Sequence, residues 1–234
     1  MSQSSIILRA ENVSLTYKSR TGFLSSFTHQ ALKGITFELE KGETIGILGK
    51  NGGGKSSLLR ILAGIINPTG GQVICPPQTT RALLTLGLGF MPNISGRENA
   101  IYSAMLQGAS RKKAKAIIPA IEEFAELGEF FDQPVDTYSS GMKARLGFAT
   151  AIMAEVDILF IDEVLSVGDT HFRQKAEAAM LNKLKGEQTC VFVSHNSDQV
   201  NRVCSRAIWI EGGSIKEQGD TATVAHHYNL FMQS

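Results

Sequence analysis

Residues 49–56 read Gly49-Lys50-Asn51-Gly52-Gly53-Gly54-Lys55-Ser56, the pattern G-x-x-x-x-G-K-[ST] of a loop that holds a nucleotide's phosphates. Before it, Thr44-Ile45-Gly46-Ile47-Leu48 is a short apolar run with the character of a buried strand. After it, Ser57-Leu58-Leu59-Arg60-Ile61-Leu62 has the composition of a helix. A strand thus feeds a glycine loop that opens a helix. Gly49, Gly52, Gly53 and Gly54 let backbone N–H groups turn inward without a Cβ clash. With the positive end of the following helix, those amides make a site for anionic oxygens. Lys55 is placed to reach the β- and γ-phosphates and Ser56 to ligate Mg²⁺; Asn51 and Ser57 complete the nucleotide-binding stretch.

Outward from this loop, the composition sets bounds. The 234 residues are enough to bury a core as one domain, residues 1–234. Lys plus Arg number 23 against 22 Asp plus Glu, so no strong field favours nucleic acid. Cys75, Cys190 and Cys204 form an odd set without metal spacing, as in a chain whose cysteines stay reduced. Met1-Ser2-Gln3-Ser4-Ser5 lacks the features of a signal peptide, and no apolar stretch is long enough to span a bilayer. The expectation is a soluble chain whose link to any membrane runs through a partner.

Ile6 to Tyr17 reads as two short strands, residues 18–30 as a loop or short helix, and Ile35–Leu39 as a further strand before the Lys41-Gly42 turn. Gln72–Cys75 is a short strand broken by Pro76-Pro77. From Arg97 to about Leu127 the chain is helical, with Ser110 as an N-cap. The basic Arg111-Lys112-Lys113 reads as a solvated helix face, its alternative a contact with lipid headgroups or a partner. The second half alternates strand and helix: Asp157–Asp162, Phe172–Lys185, Thr189–Ser194, Ser197–Val203, then a hairpin over residues 207–217. Such alternation indicates a parallel sheet covered by helices.

A phosphate loop alone fits kinases, GTPases, recombinases and transporters. Asp162-Glu163 follows four apolar residues, where a Mg²⁺-directing acid and a water-activating base belong. Asp162 would hold Mg²⁺ through water and Glu163 would polarise the attacking water. Asn182-Lys183 is followed by Leu184-Lys185 rather than the acid that reads guanine, which argues against a GTPase.

Tyr138-Ser139-Ser140-Gly141-Met142-Lys143 resembles the signature of the ATP-binding-cassette (ABC) ATPases, which usually reads Leu-Ser-Gly-Gly-Gln. Ser139 and Gly141 match; Tyr138, Ser140 and Met142 do not. The order of phosphate loop, helical stretch, signature, acid strand, Ser166-Val167-Gly168-Asp169 and His195 fits the same family. The resemblance implies an α/β fold with a RecA-like P-loop core, an N-terminal antiparallel β layer and a helical subdomain at about residues 90–150. It implies a homodimer that sandwiches two ATP with Mg²⁺, each ATP between one chain's phosphate loop and the other's Ser139, Ser140 and Gly141. The Ser166–Asp169 segment would cross the dimer interface, bringing Asp169 to the nucleotide, and His195 would contact the γ-phosphate. Tyr17 stands where the family places an adenine-stacking aromatic; a strand-end tyrosine in the core is the alternative. Lys55, Glu163 and His195 would carry hydrolysis.

Ser95-Gly96-Arg97-Glu98-Asn99, the signature with Arg145-Leu146-Gly147-Phe148, and Asp162-Glu163-Val164 with Val167-Gly168-Asp169 narrow the resemblance to ATPase subunits of bacterial polysaccharide exporters. That branch moves O-antigen, capsule or teichoic-acid chains on lipid carriers. The resemblance implies two polytopic permease subunits that handle the lipid-linked glycan, no nucleic acid, and a place on the cytoplasmic face of the inner membrane. With its last residue at Ser234, the chain is expected to be a short form without a carbohydrate-binding domain. A soluble ABC ATPase acting as a switch in DNA repair or translation is the rival. One departure stands out: the family's glutamine between sheet and helical subdomain has no counterpart in residues 85–91.

Overall fold

The structure, a computed structural model, describes residues 6–20, 26–162 and 169–233. The described chain divides into two units. The first holds residues up to Thr79, Ile158–Asp162 and Leu184 onward; the second holds Thr80–Asp157 and Asp169–Lys183.

In the first unit, strands β1 (Ile6–Arg20), β2 (Ser26–Glu40) and β4 (Gly70–Ile74) form an antiparallel layer in the order β2-β1-β4. This corrects two sequence expectations. Ile6–Tyr17 belongs to one long strand, and residues 18–20 and 26–30 extend the β1/β2 pairing through Lys18↔Thr28 and Ser19↔Phe27. Residues 18, 19 and 27–30 follow no clean in–out alternation because they are exposed; main-chain pairing holds them. Register shifts between Ala10 and Thr16 explain why β1 resembles two strands. There Asn12 takes φ 51° and donates its N–H to Thr36 Oγ1 at 2.9 Å, while Ser14 Oγ accepts from Gly34 N at 2.9 Å.

Beside this layer run β3 (Thr44–Leu48), β6 (Ile158–Ile161), β7 (Thr189–Val193), β8 (Arg206–Glu211) and β9 (Ser214–Asp220), in the order β6-β7-β3-β8-β9. The first four are parallel, and β9 returns antiparallel on β8. Every residue of β3, β6 and β7 is buried, as expected of continuous apolar runs covered on both faces. Helices α1 (Lys55–Leu62), α7 (Ser197–Val203) and α8 (Thr221–Gln233) complete the unit. The Arg206 guanidinium grips both carboxylate oxygens of Glu43 at 2.8 and 3.0 Å and also donates to the Glu38 carbonyl. It thereby ties β2 to the start of β3.

The second unit contains β5 (Arg81–Leu83), α2 (Gly96–Leu106), α3 (Arg111–Ala116), α4 (Ile118–Ala125), α5 (Ser140–Met153) and all but the last two residues of α6 (Thr170–Lys185). The helical expectation from Arg97 onward is met, and Ser110 caps α3 by accepting from Lys113 N at 3.3 Å. Arg111, Lys112 and Lys113 are exposed. Ile118, Ile121, Phe131, Val135 and Leu146 fill the core, beside a cluster of Phe124, Phe148 and Phe172 with centroids 5.7–6.1 Å apart. Among the described residues no helix is long and apolar enough to cross a membrane.

Candidate nucleotide site

Strand register brings the separated motifs of the first unit together. Ile47 of β3 pairs with Val193 of β7, and Phe192 of β7 pairs with Ile161 of β6. The residues that follow, Gly49, Asp162 and Ser194-His195, therefore leave the sheet at the same edge, the carboxyl ends of neighbouring parallel strands. That edge is where open α/β sheets bind ligands. Asp162 is half-buried and His195 exposed. Ser194 N–H donates to the Ile47 carbonyl at 3.2 Å, fixing the β7 end against β3. Asn196 caps α7 by accepting from Asp198 N and Gln199 N, so the His195 turn is held on both sides.

The phosphate loop is shaped by close backbone approach. A Cβ on Gly49 would lie 2.3 Å from the Ile210 carbonyl oxygen at the end of β8. Gly54 takes φ 95°, and its Cβ would meet the Ala31 carbonyl at 2.5 Å. Gly54 is also the N-cap of α1 and offers no side chain to the first-turn amides, which are left to bind an anion. Lys55 is 7% exposed; its ammonium donates to the carbonyls of Gly49 at 2.7 Å and Lys50 at 2.9 Å. A buried cation held by carbonyl dipoles is a strong local attraction for phosphate oxygens. Ser56 is exposed on the first turn, and Asn51, Gly52 and Gly53 form the outer rim. A cleft of about 330 Å³ opens beside this rim, lined by His29, Lys33, Gly52 and Gly213 among others.

Tyr17 is 42% exposed, which overturns the alternative of a core tyrosine. Its hydroxyl lies 3.1 Å from that of Ser57, so the ring stands beside the first turn of α1 with surface open to solvent.

In the second unit, Ser139 caps the 14-residue helix α5, its Oγ accepting from Met142 N at 3.2 Å. Ser139 and Ser140 are exposed at the positive end of that helix. Tyr138, where the signature usually has leucine, is buried and donates to the Phe130 carbonyl at 2.6 Å. A Cβ on Gly96 would fall 2.1 Å from the Tyr138 hydroxyl, so Gly96 and Tyr138 are sterically matched. Asp169 is held below the usual carboxylate range, first by the Phe172 N–H it accepts at 3.0 Å and then by the Arg145 guanidinium of the signature helix. Glu163 and Ser166–Gly168 lie outside the described residues.

The Ser95–Asn99 stretch is explained by structure. Ser95 and Glu98 form a capping box at the start of α2. Arg97 binds Asp132 at 2.7 Å and Glu122 at 2.9 Å over the Phe131 ring. Asn99 is 1% exposed; it accepts from Met91 N and donates to the carbonyls of Met91, Ile94 and Ser95. That side chain fixes the end of the glutamine-free stretch 85–91, in which Leu86, Leu88 and Met91 are exposed.

A family model described as ABC transporter matches residues 32–166. The chain is 45% identical over 198 residues to the O-antigen export system ATP-binding protein RfbB of Myxococcus xanthus, covering 85% of this chain and 45% of that protein. It is 43% identical over 202 residues to a Klebsiella pneumoniae RfbB, covering 86% and 82%. It is 42% identical over 205 residues to the teichoic acids export ATP-binding protein TagH of Bacillus cereus, covering 88% and 37%. The chain thus spans less than half the length of the M. xanthus and B. cereus relatives. A solved ATP-binding subunit of an ABC transporter superposes with TM-score 0.73 at 21% identity, covering 96% of this chain and 94% of that one. A dimeric ATP-binding cassette in a post-hydrolysis state, bound to ADP and Pi, gives TM-score 0.71 at 21% identity, covering 92% and 98%. At these identities the superpositions speak to the fold, a cassette-type α/β core with an antiparallel β layer.

Proposed function

Because the chain belongs to the ABC transporter family, we propose that it is the ATP-binding, ATP-hydrolysing subunit of an exporter of lipid-linked polysaccharide, of O-antigen, capsule or teichoic-acid type. The observation that carries this reading is the alignment along most of the K. pneumoniae O-antigen export protein. The subunit would sit on the cytoplasmic face of the bacterial inner membrane, held there by two polytopic permease subunits that handle the glycan.

In this reading the amides of Gly49 to Gly54 cradle the phosphates, with Asn51 and Ser57 at the rim and Tyr17 stacked on the base. Lys55 neutralises the β- and γ-phosphates. The residues present fit Mg²⁺: Ser56 offers an exposed hydroxyl and Asp162 a half-buried carboxylate at the same sheet edge. Among the described residues no three His, Cys, Asp or Glu side chains gather as a cage, and Mg²⁺ held by few side chains plus substrate phosphates needs none. When bound, the ion supplies charge neutralisation on the phosphates.

Glu163 orients a water and takes its proton as the water oxygen bonds the γ-phosphorus and the bond to the β–γ bridging oxygen breaks. His195 holds a γ-phosphate oxygen during that step. Ser139, Ser140, Gly141 and Asp169 serve the nucleotide of a second copy of the chain, so the working unit is a homodimer. The test is co-purification with the neighbouring membrane subunits and reconstitution into vesicles. ATP-dependent movement of lipid-linked glycan supports the reading; an ATPase that neither binds those subunits nor moves glycan overturns it.

A further inference from the structure

The last helix of the chain reaches the nucleotide site at two points. Phe231 of α8 lies under the Lys50 ammonium, 4.4 Å from Nζ to ring centroid. Two residues earlier, Asn229 Oδ1 accepts from the Ser197 hydroxyl at 2.7 Å. Lys50 is the second residue of the phosphate loop, and its carbonyl accepts both Lys55 Nζ at 2.9 Å and Gly53 N–H at 3.1 Å. Ser197 begins α7 two positions after His195 and is 7% exposed.

The support behind these contacts is aromatic. Trp209 pairs with Leu48 at the end of β3, and its ring lies 5.0 Å from Phe231 and 5.8 Å from Tyr228. The helix is seated through Thr221, Val224, Ala225 and Tyr228, all buried. Phe231 and Asn229 therefore project from an anchored helix.

We propose that α8 is a brace for the nucleotide site: Phe231 sets the phosphate loop through Lys50, and Asn229 sets the His195 turn through Ser197. Both are positioning residues. The proposal rests on the reading of residues 49–56 as the ATP loop. Whatever displaces α8 reaches the loop and the turn together, because one rigid element carries both contacts. An exposed cation over an aromatic face is a modest interaction, and its worth here is preorganisation of the loop before nucleotide arrives.

The test uses the whole chain with MgATP, reading Kd by titration and kcat separately. Phe231→Leu, which keeps an apolar side chain but removes the ring face, is expected to raise Kd about two- to five-fold with kcat little changed. Phe231→Tyr is expected to restore wild-type Kd. Lys50→Met, at an exposed position that does not threaten folding, is expected to reproduce the Phe231→Leu shift, and the double variant to add nothing further. Asn229→Leu is expected to lower kcat more than it raises Kd. Equal Kd values for the Leu and Tyr variants, or an undiminished Phe231 effect in the Lys50→Met background, overturn the proposal. Absence of MgATP binding by the wild-type chain itself instead overturns the assignment of the loop.

Discussion

The hydroxyls of Tyr17 and Ser57 lie 3.1 Å apart, joining β1 to the first turn of the helix that follows the phosphate loop. The contact holds an exposed aromatic ring beside the first turn of α1, and in the proposed function that ring is the platform for the base. Tyr17→Ala is expected to weaken ATP binding by about 1–3 kcal/mol, the usual worth of a base–aromatic stack. Tyr17→Phe keeps the ring and is expected to lose only a fraction of that. Titration with a fluorescent ATP analogue separates the two; unchanged binding in Tyr17→Ala contradicts the role.

The loop glycines differ in what surrounds them. A Cβ at Gly49 runs into the Ile210 carbonyl, whereas one at Gly52 has nothing within 4 Å. Gly49→Ala is therefore expected to lower the melting temperature and abolish ATP binding. Gly52→Ala is expected to fold and to cost about 1 kcal/mol, because φ at Gly52 is 81°. Thermal melts with and without MgATP compare them.

Acid should loosen the second unit first. Asp132 and Glu126 are both held below the usual carboxylate range, by hydrogen bonds from Arg97 and Lys175 respectively. Below the unfolded values near 4, the unfolded chain binds more protons than the folded one at these groups. Their contribution is complete above the unfolded value and is lost as pH falls through the lower folded value. These carboxylates are solvent-exposed, so each effect is small. Arg97→Met is expected to flatten the loss of melting temperature between about pH 5 and pH 3. An unaltered slope contradicts the assignment.

Thiol labelling reads the core of the first unit. Burial pushes the Cys204 thiol up to about 12, Cys190 is buried and Cys75 is partly exposed. At pH 8 the folded chain is expected to react rapidly at Cys75 alone and, once denatured, at all three cysteines. Fast labelling of Cys204 in the native chain contradicts the packing of β3 on α7, where Gly46 faces the Cys204 sulfur.

Much of this was legible in the sequence because the relevant forces are local. The runs at residues 45–48, 158–161 and 190–193 are apolar without interruption, which suits strands buried on both faces. The loop pattern fixes its own geometry through glycine and lysine. The β1/β2 extension escaped because residues 18–20 and 26–30 are polar apart from the exposed Phe27 and are held by cross-strand main-chain bonds, which leave no side-chain period. Helix α8 escaped although its signals were present. Asp220 accepts from Thr223 N at 3.1 Å at its start, and its buried residues 221, 224, 225 and 228 follow the three–four spacing. The contacts of Phe231 and Asn229 join residues more than 30 positions apart in sequence, and no local pattern encodes them.

In the proposed function Lys55, Asp162 and His195 act on ATP at the carboxyl edge of the parallel sheet, with Glu163 as the base that activates water. Glu163→Gln tests it most directly, because glutamine keeps the shape of the side chain and removes the base. The variant is expected to bind ATP within a few-fold of wild type, to turn over about 10²–10⁴-fold more slowly, and to form an ATP-dependent dimer in sedimentation. Near-normal turnover by Glu163→Gln would contradict that role.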